Sequence, residues 1–559
     1  MNKLLELIFP VMTWGPKYSL GRFRSDLVAG TVVVFITVPQ VIAYAFLAGM
    51  PAEAGLYAAM MSLVGYAIFG SSRALAVGPT AIIAMMTLEA ASSYAIPGTI
   101  DYTETVVQLC VVTGIVLILL RVVNFGSVIS FLSHAVVTGF ITAAAILIIS
   151  NQLPLMIGLA SSPDTSIVGV YRYLFEETSQ FNQAVVIVSL VAVAVLVFCK
   201  TYLGSLLKRT GLADAVIDSL VKSAPMYAVV IGVVSVQLFS LDTAFGVPVV
   251  GDIPTVLPGI NIVLMSLERF QALLPSALLI SMVIFMESTS IGTAIASKAR
   301  EKINPNQELV GLGFANLGSS LVGGFPVAGS FARSIVNFSS GSVSPVASLV
   351  TAFLVMITIL LFATLFFHLP KGVLSAIIVI SAWQLIDFQA VRKIFSFNGT
   401  DAVTFIFTFL AVLSLGVESG VLMGIAISFV LLIRSSSKPH IAVVGRVGDS
   451  EHFRNVERYD VRTSPKLLAL RVDESLYFVN TRFIETFILN DVADRREVEH
   501  VLLICTSTNF IDTSGLEMLE ELSENLSEVG VTLHMAEVKG PVMDKLKETG
   551  FYRNMSGQI

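Results

Sequence analysis

Long stretches of this chain carry no charge. Residues 27–52, 54–72, 122–163, 223–241, 309–332 and 334–370 contain no Asp, Glu, Lys or Arg. A helix crossing about 30 Å of hydrocarbon needs about 20 such residues. Residues 27–434 are therefore expected to hold twelve to fourteen spans. Fourteen is preferred, starting near residues 28, 53, 74, 105, 129, 184, 225, 272, 308, 328, 346, 372, 402 and 419. Ahead of them, residues 1–24 carry Lys3, Lys17, Arg22 and Arg24 and read as an interfacial lead-in rather than a cleavable signal.

Beyond Arg434 the pattern changes. Residues 435–440, SSSKPH, read as a linker, and apolar runs with soluble periodicity follow. Strands are expected at 467–472, 501–506 and 531–537, and helices at 482–494, 514–529 and 542–549. The chain thus divides into an N-terminal segment (1–26), a transmembrane domain (27–434), the linker, and a soluble α/β domain (441–559).

Composition sharpens this division. Apolar residues make up 55% and charged ones 13%, against about 25% charged in soluble proteins, and the mean hydropathy is +0.83. Charged residues number 40 in positions 1–434 and 34 in the much shorter remainder. The net charge of −6 arises wholly in the tail, with its 14 basic and 20 acidic residues. A nucleic-acid binder is excluded. Cys110, Cys199 and Cys505 have neither disulfide nor metal-ligand spacing, and His134 and His368 are isolated, so no metal or other cofactor is expected. The tail has no nucleotide loop or catalytic triad, and no enzyme is proposed.

Orientation follows from the basic residues. With fourteen spans and the N-terminus inside, sixteen Lys and Arg fall on inner segments and only Arg172, Arg269 and Lys371 on outer loops. That asymmetry satisfies the positive-inside bias, and both termini are expected in the cytoplasm. Compact loops suggest a bacterial inner membrane. The twentieth basic residue, Arg333, falls inside a membrane segment.

Two hydrophobic segments are broken by glycine and proline. One contains AVGPTAIIAMM, with Gly78, Pro79 and Thr80; the other contains GGFPVAGSFARS, with Gly329, Ser330, Phe331 and Arg333. Each reads as a short extended piece leading into a half-helix. Pro79 suits a first helical turn, and Gly329 and Ser330 suit the start and cap of the second half-helix. Non-helical backbone at membrane depth lines a cavity or is buried in protein. The two segments are third and tenth in the count, hence third in each half of a seven-plus-seven arrangement. Seven is odd, so the halves have opposite topology and the two half-helix N-termini point at each other. Two such termini make an anion site, and Arg333 adds a full charge. Two simple helix kinks, with Arg333 pinned to a neighbouring carbonyl or carboxylate, are the structural alternative.

The eighth span, ALLISMVIFMESTSIGTAIASK, places Glu287 at its middle. If Glu287 lies near Arg333, anion and carboxylate compete for one cation. Protonating Glu287 frees Arg333 for the anion, and a bound anion favours the protonated carboxyl in return. This reciprocal linkage is the minimum for proton–anion cotransport; a permanent Glu287–Arg333 bridge is the competing reading. In the first span, TVPQVIAYAFLAGMP, Gln40 and Tyr44 share a helical face. Either can contact an oxyanion, or a carbonyl freed by Pro39. Asn151 and Asn316 suit packing between helices.

These motifs point to a family. TVPQVIAYAFLAGMPAEAGLYAAM, GSSRALAVGPTA and NQELVGLGFANLGSSLVGGFPVAGSFARS closely resemble the sulfate permease (SulP) family, from about residue 20 onward. The resemblance implies a polytopic α-helical membrane protein of fourteen spans, arranged as two inverted seven-helix repeats with core and gate domains, acting as a homodimer. It places the anion site on Gln40, Tyr44, Thr80, Glu287, Ser330, Phe331 and Arg333. Thr80 and Ala332 depart from the phenylalanine and serine of animal members. Glu287 resembles the carboxylate of microbial and plant members associated with proton coupling. The loop Phe510-Ile511-Asp512-Thr513-Ser514-Gly515 resembles the hallmark turn of STAS domains, whose bacterial relatives are phosphorylated at the serine matching Ser514 and bind cytoplasmic protein partners. Asp512 or Thr513 equally suits a plain helix N-cap.

The function expected is proton-coupled uptake of an oxyanion, sulfate foremost, across a lipid bilayer. Importing a dianion against an inside-negative potential costs about 4.6 kcal/mol per 100 mV. One protonated Glu287 does not neutralise it. Bicarbonate or a dicarboxylate fits a single carboxylate better and stays open, as do an anion-sensing signalling protein and an uncoupled channel.

Overall fold

The computed structural model describes residues 10–126, 133–212, 214–260, 262–555 and 557–559. Lys3 and the expected start of the fifth span near residue 129 lie outside the described residues. The chain forms two compact units, Met1–Ile425 and Ala426–Ile559. The division falls inside the last membrane helix rather than at residue 435.

In hydrocarbon a segment must satisfy its own backbone amides, so the apolar runs become helices. They are α1 (Leu20–Leu47), α2 (Ala52–Phe69), α3 (Ala81–Ser92), α4 (Ile100–Val122), α5 (His134–Met156), α6 (Gln183–Phe198) and α7 (Ala224–Phe239). The second set is α8 (Leu267–Ala299), α9 (Pro305–Leu321), α10 (Phe331–Ser339), α11 (Val346–Ile357), α12 (Lys371–Trp383), α13 (Gly399–Leu415) and α14 (Val417–Ser437). Among the described residues nine helices, with their continuations, are long and apolar enough to cross a bilayer, or ten if the pair bent by 51° ahead of and through α7 counts as one span. Of the remaining four, α9 and α13 have 17 residues each, and α3 and α10 are half-length. The first helix starts at Leu20 rather than near 28, because Ser19 caps it by accepting the Arg22 N–H. Part of the expected lead-in is thus its first two turns.

Strand β1 (Val77–Gly78) precedes α3 and β2 (Ala328–Gly329) precedes α10. They pair antiparallel, Val77 opposite Gly329 and Gly78 opposite Ala328, the relation two inverted repeats require. Helices α1–α4 and α8–α11 pack around these strands, and α5, α6, α7, α12 and α13 pack largely on one another. These groups correspond to the core and gate domains.

Two buried carboxylates staple the loops flanking the broken segments. Glu308 on α9, fully buried, accepts from the Tyr66 hydroxyl (2.7 Å), the Ser71 hydroxyl and N–H (2.5 and 3.0 Å) and the Ser72 N–H (3.2 Å). Asp26 on α1 does the same for the other repeat. It accepts from the Tyr18 hydroxyl (2.9 Å), the Ser344 hydroxyl and N–H (2.6 and 3.1 Å) and the Val343 N–H (2.7 Å). Each staple reaches from one repeat into the loop beside the other repeat's half-helix, so the two halves cannot pack independently.

The C-terminal unit carries a mixed five-stranded sheet in the order β4-β3-β5-β6-β7. Its strands are β3 (Ile441–Arg446), β4 (Phe453–Asn455), β5 (Leu467–Val472), β6 (His500–Ile504) and β7 (Thr532–Ala536), with helices α15 (Thr481–Asp494), α16 (Thr513–Glu528) and α17 (Gly540–Lys547). The β5–β6–β7 core is parallel, and β3 joins it antiparallel. Sequence reading missed β3 and β4, and α14 takes up residues 435–437 of the expected linker. On the edge strand, His534 Nδ1 accepts the Gln558 N–H at 3.1 Å, which leaves Nε2 to donate to His500 Nδ1 at 3.2 Å. The Met535 N–H donates to the Gln558 carbonyl at 2.9 Å, so the chain end is clasped to β7.

Glu308→Ala removes the acceptor shared by four donor groups of Tyr66, Ser71 and Ser72, and a buried donor left unsatisfied costs about 1–3 kcal/mol. It should lower the melting temperature in detergent well beyond Ser71→Ala. The clasp predicts a pH dependence. Partial burial, then the charge of His500, hold the His534 imidazole below its ordinary value, so the unfolded chain takes the proton first. The clasp's contribution is full above about pH 6.5 and fades as pH falls through the folded value. Hydrogen exchange at Met535 and Gln558, corrected for intrinsic rate, should speed up between about pH 7.5 and 5. His534→Asn, whose side-chain oxygen replaces Nδ1 without titrating, should abolish that change.

Candidate functional site

The paired strands set the site. Their outer backbone groups are bonded to surrounding helices. Ser62 Oγ donates to the Val77 carbonyl (3.2 Å), the Ala76 N–H to Ser334 Oγ (2.9 Å) and the Gly329 N–H to Ser288 Oγ (2.8 Å). Asn316 accepts the Val327 N–H (2.9 Å) and donates to the Val327 and Leu312 carbonyls (3.1 and 2.9 Å). Asn316 therefore braces the approach to β2 besides packing on α9. Asn151 braces its own turn and the Thr165 carbonyl.

From this crossing the two half-helices start. Thr80 and Ser330 are their N-caps, and neither side chain bonds a first-turn amide. Both helix starts border one cavity of about 280 Å³, smaller than the roughly 300–1,000 Å³ of sites for drug-sized ligands. Each N-terminus contributes about half a positive charge to it. Gln40, Tyr44, Thr80, Glu287, Ser330 and Phe331 all line it. Within it, Gln40 Oε1, Thr80 Oγ1 and Glu287 Oε2 are buried without a protein hydrogen-bond partner. Buried polar atoms are ordinarily paired, so orphans concentrated on one wall mark a surface built for a polar guest. The Phe331 ring, 54% exposed, projects into this space.

Four expected ligands take other places. Gly78, Pro79, Gly329 and Arg333 are not on the cavity wall. Pro79 precedes the cap rather than opening the helix, and its carbonyl accepts from Arg333 Nη2 at 2.5 Å. Arg333 is 1% exposed, and its Nε and Nη1 have no protein partner. The guanidinium is thus a pin on the β1 backbone and also a buried, incompletely satisfied charge behind the wall. It does not pair with Glu287, whose Oε2 is free of any protein hydrogen bond, although their charges interact across the site. A permanent Glu287–Arg333 bridge is not present. Gly78 faces Arg333: a Cβ there would lie 2.8 Å from Nη1.

Sequence reading missed Lys200, Lys222, Ser381 and Gln384, which also line the cavity. In the linear chain the two lysines read only as inner-loop charges. Lys222 bonds the Asp218 carboxylate and Ser339 Oγ, joining the short helix before α7 (Asp214–Lys222) to the end of α10. His368 faces Asp242 at 3.2 Å, away from the site. In the soluble unit Asp512 is the N-cap of α16. Its Oδ1 accepts the Gly515 N–H (2.8 Å) and its Oδ2 the Phe478 N–H (3.0 Å), while Thr513 and Ser514 begin the helix.

Comparison with known proteins adds independent findings. Residues 23–408 match the family model for the sulfate permease family, and residues 458–558 match that for the STAS domain. The chain is 30% identical over 558 residues to probable sulfate transporter 4.2 of Arabidopsis thaliana, covering 98% of this chain and 81% of that one. It is 30% identical over 558 residues to high affinity sulfate transporter 2 of Stylosanthes hamata, covering 97% and 83%. Its fold is similar to murine solute carrier 26 family member A9, an anion transporter solved in the inward-facing state. There the TM-score is 0.88 and the identity 22%, over 100% of this chain and 92% of that one. It is also similar to the transmembrane domain of a cyanobacterium bicarbonate transporter, with a TM-score of 0.61 and 20% identity over 74% and 98%.

Gly78→Ala tests the role of the buried guanidinium. The added methyl would crowd Arg333 Nη1 and shift the guanidinium, and binding of a small oxyanion such as sulfate should weaken about tenfold. Isothermal titration should register that loss with little change in melting temperature.

Proposed function

Because the chain belongs to the sulfate permease family, we propose that it is a secondary active transporter that carries sulfate into the cell with protons, by alternating access. The observation that carries this reading is the shared cavity. Two uncapped helix N-termini, Gln40 and Thr80 meet Glu287 there, with the Arg333 charge behind. The dipoles and the guanidinium favour an anion. The carboxyl offers a place for a proton, and its charge opposes the anion's until it is protonated.

The lysines bear on which anion. A dianion needs more compensating charge than one guanidinium supplies, and Lys200 brings a further cation to the cavity lining, with Lys222 beside it bonded to Asp218. They favour sulfate over bicarbonate. The energetic difficulty remains, since a dianion moving inward costs about 4.6 kcal/mol per 100 mV. Uptake of sulfate therefore requires more than the single proton of Glu287, or an anion travelling outward. Bicarbonate and dicarboxylates are the second reading for that reason.

The distribution of Lys and Arg supports cytoplasmic termini. The STAS unit, with Ser514 beside the Asp512 cap, is a surface for a cytoplasmic protein partner, and the transporter works as a homodimer. In this reading the α5–α7 and α12–α14 group moves against the helices that hold the strand crossing.

Proteoliposomes test the proposal. Labelled sulfate should accumulate under an inward proton gradient, more strongly than bicarbonate, succinate or chloride. Glu287→Gln should lose pH-driven accumulation while retaining counterflow exchange. Retention of pH-driven accumulation by that variant overturns the role of Glu287. Binding without flux favours a sensor, and currents far beyond carrier turnover favour a channel.

A further inference from the structure

Glu287 and Ser288 are adjacent on α8 but serve different surroundings. Glu287 lines the cavity. Ser288 is fully buried, and its Oγ accepts the Gly329 N–H at 2.8 Å. Gly329 ends β2, one residue before the Ser330 cap of α10 and one turn before Arg333. A Cβ on Gly329 would lie 3.1 Å from both Ser288 Cα and Oγ and 2.9 Å from Leu75 Cδ1. The β2 backbone thus rests directly on α8, and only glycine permits that approach. The other hydroxyls of α8 that form side-chain bonds look elsewhere: Ser276 bonds Glu418, and Ser281 bonds the Thr113 carbonyl.

We infer that Ser288 is a positioning residue for transport: its hydroxyl fixes the spacing between the Glu287 carboxyl and the Ser330–Arg333 turn, and so sets how strongly proton and anion are coupled. This rests on the reading of Glu287 as the proton-carrying group. The groups whose charges act on Glu287 are Arg333 from α10 and Tyr44 from α1, and Lys200 and Lys222 line the same cavity from other chain segments. Of the cation positions behind and around it, only that of Arg333 is tied to α8 through β2. Charge–charge interaction in a low-dielectric site depends steeply on distance. A Gly329 N–H released from Ser288 lets β2 and the turn beyond it drift from the carboxyl.

The test is the pH profile of KM for sulfate uptake in proteoliposomes, measured with the full chain. In the wild type KM should rise with pH, as Glu287 loses its proton. In Ser288→Ala, and in Ser288→Cys where the thiol is a poor acceptor, that rise should flatten by about fivefold, whatever the absolute KM. Ser288→Thr keeps the hydroxyl and should keep the slope. The Cys variant preserves volume and carries the test if Ala does not fold. An Ala or Cys profile parallel to the wild type, or a Thr profile as flat as Ala, overturns the inference. Glu287→Gln run alongside separates the two failures. If it is flat while Ser288→Ala is wild-type-like, only the role of Ser288 falls. If Glu287→Gln itself follows the wild type, the carboxylate reading falls first.

Discussion

Non-helical backbone at the depth of a bilayer must find every hydrogen-bond partner within the protein, and the rest of this transport domain is organised around that demand. Strands β1 and β2 satisfy one another across an antiparallel pair only two residues long. Ser62, Ser288, Ser334 and Asn316 satisfy the edges that remain. Each of these belongs to a different helix, so the crossing is fully bonded only with α2, α8, α9 and α10 all in place. Its reward is geometric. Backbone that bonds sideways leaves the amides of the two following helix turns pointing into a shared space.

The electrostatics follow from the same arrangement. Arg333 lies behind the wall, bonded to the Pro79 carbonyl, and a charge held there acts on the cavity through its field rather than by contact. The carboxylate staples Asp26 and Glu308 repeat one design on the two halves: a carboxylate, a tyrosine hydroxyl, a serine hydroxyl and two backbone amides. They hold the loops on either side of the crossing. Rigid support close to the strands contrasts with the cavity's other wall. There Lys200, Lys222, Ser381 and Gln384 come from helices that pack mainly on each other.

How much was legible differs by type of feature. The fourteen segments were readable because span length is imposed by the solvent, and the starts near 53, 184, 225, 346 and 372 fall within a residue or so of the helices. Breaks at Gly78-Pro79 and Gly329-Ser330 were readable because few residue types tolerate such backbone. The role of Pro79 was misjudged by one position, since a helix cap depends on which amides are left free, not on the proline alone. Strand β4 was missed because three partly exposed residues carry no periodicity, and β3 because its apolar run, IAVV, does not alternate in sequence although its burial does.

Taken alone, the amino-acid sequence placed the apolar segments, narrowed the spans to twelve to fourteen and singled out Glu287 and Arg333 as charges within them, since each is a property of local composition against a bilayer of given thickness. Tertiary structure decided which charges touch what. Arg333 bonds a carbonyl 254 positions away, Ser288 holds a strand 41 positions on, and two lysines that read as loop charges border the cavity. Such contacts depend on how helices of opposite halves approach one another, and helix packing leaves no periodic trace in the chain.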